Sequence, residues 1–275
     1  MAMWGDVTPA ERLRAVTRRN VDDDRLAGEA ADALAAFASE PASLVVACRR
    51  VLAHHRAHGA LWWVCARILA AADAVTAARD AGRLLEHDRT ADRLSASLPL
   101  VEGDQFVAVI GWPAAFDDAV MERMDIPVIA VRVDGADPTY GLRHRGRARG
   151  VRIVEPWNPV LEKVPVLVVP AAAIGPEHAL VAAGVGDAIG EMRSATSDIW
   201  LVGGVGRVLP RRLFEAVTQA VADAENSELS DEVLVETLHL ARVDRVAGPR
   251  GVERPVDAAG RVDCPVVPEL LRPLD

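Results

Sequence analysis

The chain predicts an α/β protein in which a helical N-terminal domain, residues 1–100, precedes a parallel-sheet domain, residues 101–275. Three observations lead there. Apolar residues recur at helical spacing through the first hundred residues, short β-rich runs alternate with helical stretches from Val101 onward, and those runs lack the polar alternation of a half-exposed sheet.

The helical part opens on Thr8, Pro9, Ala10 and Glu11, a capping box with proline at the first helical position, and this predicts a helix to about Asn20. Asp22, Asp23 and Asp24 complement the positive end of a second helix carrying Leu26, Ala30, Ala33, Leu34 and Phe37. Pro41 opens a third, with Leu44, Val45, Cys48, Leu52 and His55 inward and Gly59 at its end. A fourth carries Leu61, Val64, Cys65, Ile68, Leu69 and Ala72, and the pattern continues through Leu85 towards Leu94. Beyond residue 100 strands are predicted over 106–110, 127–133, 151–154, 166–169 and 199–202, with helices over 114–124, 187–193 and 210–223. Residues 225–275, rich in Val and Pro, read as loops with short strands.

Composition narrows the function classes. A net charge of -9 and a pI near 5.3 oppose nucleic-acid binding, which is driven by neutralising many phosphates with Lys and Arg. Cys48, Cys65 and Cys264 form no CxxC pair, against both a disulfide framework and a structural zinc site. Nothing resembles a secretory signal or reaches the roughly 18 uninterrupted apolar residues of a membrane span, so a cytoplasmic protein without a membrane partner is expected.

The segment from 164 to 210 is the most informative: two apolar strands, each followed by a glycine-rich turn. Gly184, Gly186 and Gly190 spell GVGDAIG at a helix start, and Gly203, Gly204 and Gly206 spell GGVG after a strand. Free N–H groups in such turns hold a phosphate without a charged side chain, although glycines there also serve plain tight turns and neither run is a full dinucleotide fingerprint. Arg143, His144, Arg145, Arg147, Arg149 and Arg152 form the dense basic run of an acidic chain, either a solvated face or, through Arg143 and Arg145, a contact to a phosphorylated ligand. Trp112 and Trp157 each follow a strand beside a proline, where ligands sit in open α/β sheets. His54 and His58 share the i, i+4 spacing of a metal pair without an adjacent carboxylate and read as surface or helix-end residues, so neither a metal nor a cofactor is expected. No GxSxG is present.

From about Asp104 onward the residues resemble the initiation factor 2B family, which includes regulatory subunits of that factor and sugar-phosphate isomerases. VAVIGWPAAFDDAVM, PVIAVRVDGADPTYG, VPVLVVPAAAIG and DIWLVGGVGRVLPRRLFEAVTQAVADA look like successive family segments, and Val267, Pro268, Glu269 and Leu270 match a Pro-Pro-Glu-Leu pattern. The resemblance implies a helical N-terminal domain, a Rossmann-like C-terminal domain and a homodimer formed through it. Near the place where the isomerases carry a cysteine on the first strand's loop this sequence has Trp112 and Pro113, and at their Gly-Ala-Asp it has Gly203, Gly204 and Val205. The Asn-Gly and Asn-Lys-Ile-Gly positions read Pro210–Arg211 and Glu215–Thr218. The expectation is therefore a non-catalytic relative that binds a small phosphorylated metabolite, a sugar phosphate or nucleotide, through Trp112, Arg143, Arg145, Trp157, Gly184, Gly186, Gly203 and Gly204. An active isomerase using Glu177 and His178, and a structural subunit of a larger assembly, are the alternatives.

Overall fold

The computed structural model describes residues 8–18, 24–121, 123–144, 150–192, 198–225 and 234–274. They fall into two compact units: one lies within Met1–His87, Gly206–Ser230 and Val262–Asp275, the other within Asp88–Val205 and Asp231–Arg261.

The first unit holds α1 (Pro9–Arg18), α2 (Asp24–Ala35), α3 (Pro41–His54), α4 (Gly59–Ala70) and α5 (Ala74–Glu86). The capping box forms: the Thr8 amide donates to the Glu11 carboxylate at 2.9 Å and the Glu11 amide to the Thr8 hydroxyl at 3.4 Å. Helix α4 is the centre of this unit, with Leu61, Trp62, Val64 and Ile68 buried; each such side chain contributes about 1.5–3 kcal/mol by leaving water. Helix α3 stops at His54 rather than running to Gly59, so His58 begins α4 and the i, i+4 histidine pair does not share a helix.

The second unit starts with α6 (Thr90–Ser97) and enters the sheet at β1 (Val107–Ile110), followed by α7 (Ala114–Met121), β2 (Val128–Val131), α8 (Pro138–His144) and β3 (Arg152–Val154). Next come β4 (Val166–Ile174), β5 (His178–Ala182), α9 (Val185–Met192) and β6 (Asp198–Val202). The chain returns to the first unit for α10 (Arg211–Glu225), then forms β7 (Val235–His239), β8 (Arg245–Gly248), β9 (Gly251–Glu253) and α11 (Pro255–Ala259). A short 3-10 turn, Pro268–Leu270, closes the first unit.

The sheet runs β3-β2-β1-β4-β6-β8-β9, parallel throughout except at β9. Its inner strands are buried over most of their length, β1 throughout and β6 from Ile199 onward, as expected of a sheet covered on both faces. A core of Val107, Val109, Phe116, Val166, Val168 and Trp200 forms on one face beneath α6 and α7. One feature departs from the predicted simple parallel sheet. Strand β4 continues to Ile174 and folds back through Gly175–Glu177 into antiparallel β5, which pairs with β7 in register His178 to His239. Gly-Pro at 175–176 makes this reversal.

Candidate functional site

At the carboxyl ends of β2 and β3, in the second unit, lies a pocket of about 890 Å³. Ligands of open α/β sheets sit at such strand ends. The chain leaving β2 supplies Arg132, Asp134 and Asp137; that leaving β3 supplies Glu155 and Trp157; the start of α9 supplies Gly184, Gly186 and Asp187. Arg242, from beyond β7, also reaches it and donates to the Gly186 carbonyl at 2.7 Å. Gly135, between the two aspartates, must be glycine because an added Cβ would stand 2.1 Å from the Leu234 carbonyl oxygen and 2.4 Å from the Ala183 nitrogen.

Charge in the pocket is unbalanced. Asp134, Asp137, Glu155, Asp187 and Glu191 face Arg132 and Arg242. Arg132 is itself engaged, at 3.2 Å from Glu155 and 3.6 Å from Asp137. Bonds from Thr139, whose amide donates at 2.8 Å, hold the Asp137 carboxyl below the usual carboxylate range, with Arg132 adding to the effect. Trp157 stands 72% exposed on the pocket lip.

Both glycine turns have the shape the sequence suggests, but the expectation of free amides is corrected. The Glu236 carboxylate, from β7, accepts from the Gly184 amide at 3.3 Å and the Gly186 amide at 2.5 Å. In the turn after β6, the Asp88 carboxylate accepts from the Val205 amide at 2.7 Å, and its oxygen lies 2.4 Å from where a Cβ on Gly204 would be. The same carboxylate caps α6 through the Thr90 amide at 2.8 Å and the Thr90 hydroxyl at 2.6 Å. A side-chain carboxylate is chemically what a phosphate oxygen would be in such a cradle. Each turn is thus filled by an anion of the chain itself.

The other predicted site residues divide. Trp157, Gly184 and Gly186 meet in the pocket, whereas Gly203 and Gly204 lie outside it. Trp112 is corrected to a core residue: it is 6% exposed, packs edge-on against Phe116 with ring centroids 5.5 Å apart, and donates its indole N–H to buried Asp117 at 2.9 Å. Arg143 is exposed at the end of α8 and does not line the pocket, and Arg145 lies outside the described residues. Glu177 and His178 sit at the tip of the β4–β5 hairpin, at the opposite end of β5 from Gly184; His178 packs edge-on against His239, with ring centroids 4.8 Å apart. Among the described residues, no group of three or more His, Cys, Asp or Glu could hold a metal ion, and no helix is long and apolar enough to cross a membrane.

Sequence reasoning missed the polar side chains of the pocket, although Asp134, Asp137 and Glu155 follow directly on predicted strands. That position is the available signal.

A helical unit and a second unit built on a mostly parallel sheet define an α/β protein. Among solved structures, the chain is similar to translation initiation factor eIF-2B from Pyrococcus horikoshii OT3, with 12% identity over 90% of this chain and 97% of that one and a TM-score of 0.68. It is similar also to eIF2B beta from Chaetomium thermophilum, with 12% identity over 92% and 89% and a TM-score of 0.65. The third similar structure is 5-methylthioribose 1-phosphate isomerase from P. horikoshii OT3, with 12% identity over 92% and 87% and a TM-score of 0.59. No protein-family model and no curated protein matches the chain. The chain has the fold of the eIF2B subunits and of this isomerase.

Proposed function

We propose that the chain is a non-catalytic eIF2B-like protein that holds a small metabolite in the pocket between the ends of β2 and β3 and the start of α9. One observation carries the non-catalytic part. The turn at the carboxyl end of β6 presents Gly203, Gly204 and Val205, none of them titratable, and the carboxylate that reaches it, Asp88, is taken up by the Val205 amide and by Thr90. Moving a proton between adjacent sugar carbons needs a positioned acid and base, worth roughly 10²-fold or more each. The Glu177 and His178 alternative loses support because the pair does not line the pocket.

A phosphorylated metabolite remains the first class to test, since one similar structure is an isomerase named for such a compound. Arg132 and Arg242 are the cations of the pocket lining that a phosphate would have to draw from their present partners, the Gly184 and Gly186 amides being taken by Glu236. The test incubates the purified protein with phosphorylated pentoses and follows aldose-to-ketose conversion by NMR, alongside calorimetric titration. Binding without conversion is the expected result; turnover abolished by Glu177→Ala would overturn the proposal. An assembly role, as a homodimer or as a subunit of a larger complex, is a second reading. It draws on the similarity, at 14% identity and a TM-score of 0.65, to a chain of the tetrameric eIF2B-beta2-delta2 complex from C. thermophilum.

A further inference from the structure

We infer that the ligand of this pocket presents a guanidinium or ammonium group to it, an inference that rests on the pocket being a ligand site at all. Three independent features of the cavity point the same way. The first is the closure of its backbone cradle to anions: Glu236 already occupies the Gly184 and Gly186 amides, so an incoming phosphate meets a carboxylate where it would need donors. The second is Trp157, an indole 72% exposed on the lip of a concave site with no role in packing the core. A flat, electron-rich face beside carboxylates is the arrangement that attracts organic cations, and the ring adds to what the carboxylates supply. The third is the protein's own Arg132. Its guanidinium lies in the cavity between Glu155 and Asp137 and shows in place how these carboxylates hold a planar cation.

Arg132 and Arg242 leave the balance of the lining acidic, since Arg132 is paired within the pocket and Arg242 is turned onto the Gly186 carbonyl. Asp134 and Asp187, which appear in no ion pair among the described residues, are the carboxylates assigned to the incoming cation, with Trp157 covering its stem. Volume agrees: about 890 Å³ lies within the usual range for small-molecule sites, roughly 300–1,000 Å³.

The experiment titrates the full-length protein with agmatine and, separately, with ribose 5-phosphate, by calorimetry in low-salt buffer at pH 7. Agmatine binding is expected, weakened about tenfold by Asp134→Asn and again by Asp187→Asn, and about threefold by Trp157→Ala. Circular dichroism confirms folding of each variant, and Arg143→Ala, an exposed residue away from the pocket, serves as the control that leaves affinity unchanged. If ribose 5-phosphate binds and agmatine does not, the cation inference falls and the pocket proposed above stands. Should neither bind, both fall. Agmatine binding that survives Asp134→Asn, Asp187→Asn and Trp157→Ala overturns the assignment of this cavity.

Discussion

Removing the Glu236 carboxylate tests the claim that the glycine cradle is filled from within. In Glu236→Ala the amides of Gly184 and Gly186 lose acceptors now at 3.3 and 2.5 Å, and the start of α9 loses its compensating negative charge. A hydrogen bond to a charged group contributes about 1.5–3 kcal/mol, and a charge at a helix N-terminus adds about 0.3–1 kcal/mol. With the longer contact counted as weak, the local loss is about 2–4 kcal/mol, equivalent to a rise of about 30- to 900-fold in the local opening equilibrium and an equal fall in exchange protection. Amide hydrogen exchange across α9 reads that quantity directly, because opening of this segment is measured without unfolding the rest. The variant also carries its own control. Added inorganic phosphate is expected to restore part of the α9 protection by occupying the vacated amides. Unchanged protection in the variant, or an equal response to phosphate in the wild type, would refute the reasoning.

Three further outcomes follow from the packing. Gly206→Ala combines a φ of +79° with a Cβ placed 3.0 Å from the Trp63 ring, and Trp63 donates to the Asp263 carbonyl at 2.7 Å; a stability loss of about 2–4 kcal/mol in urea unfolding is expected. Trp200→Phe removes a buried indole N–H that has no partner among the described residues, so stability should hold within about 1 kcal/mol despite the smaller ring, unlike an ordinary tryptophan truncation. Burial pushes the Cys264 thiol up to about 12, and the thiolate is the reactive form, so iodoacetamide at pH 8 should label it about a thousandfold more slowly than an exposed cysteine. Because the folded value is the higher one, the associated stability is complete below about pH 8.5 and is lost as pH rises towards 12, which alkaline unfolding would follow.

Legibility in the sequence followed the range of the interactions involved. Strands β1, β2, β4 and β6 each carry an apolar run that is mostly buried, and this local pattern is sufficient to find them. The capping box of α1 is equally local. Strand β5 is hidden because its apolar stretch, 179–182, is short and follows Gly-Pro-Glu-His, and only pairing with β7, far along the chain, makes it a strand. That pairing also brings Glu236 to the glycine cradle from 50 residues away, a contact that no motif in 184–190 encodes. The two strand-end tryptophans show the same limit. Trp112 and Trp157 have similar local sequence, but Gly141 lets α8 approach so closely that an added Cβ would stand 2.5 Å from the Trp112 carbonyl oxygen, covering that indole and leaving the other open.

The discontinuity of the helical unit bears on biosynthesis. Helices α1–α5 emerge first from the ribosome, yet the unit to which they belong also includes α10 and the segment from Val262 onward, with Arg49 of α3 donating to the carbonyls of Glu269 and Arg272 at 3.1 and 3.4 Å. The nascent helices must therefore remain incomplete while more than a hundred later residues are translated, an interval in which apolar surface of α4 awaits its cover and chaperones have their opportunity to bind.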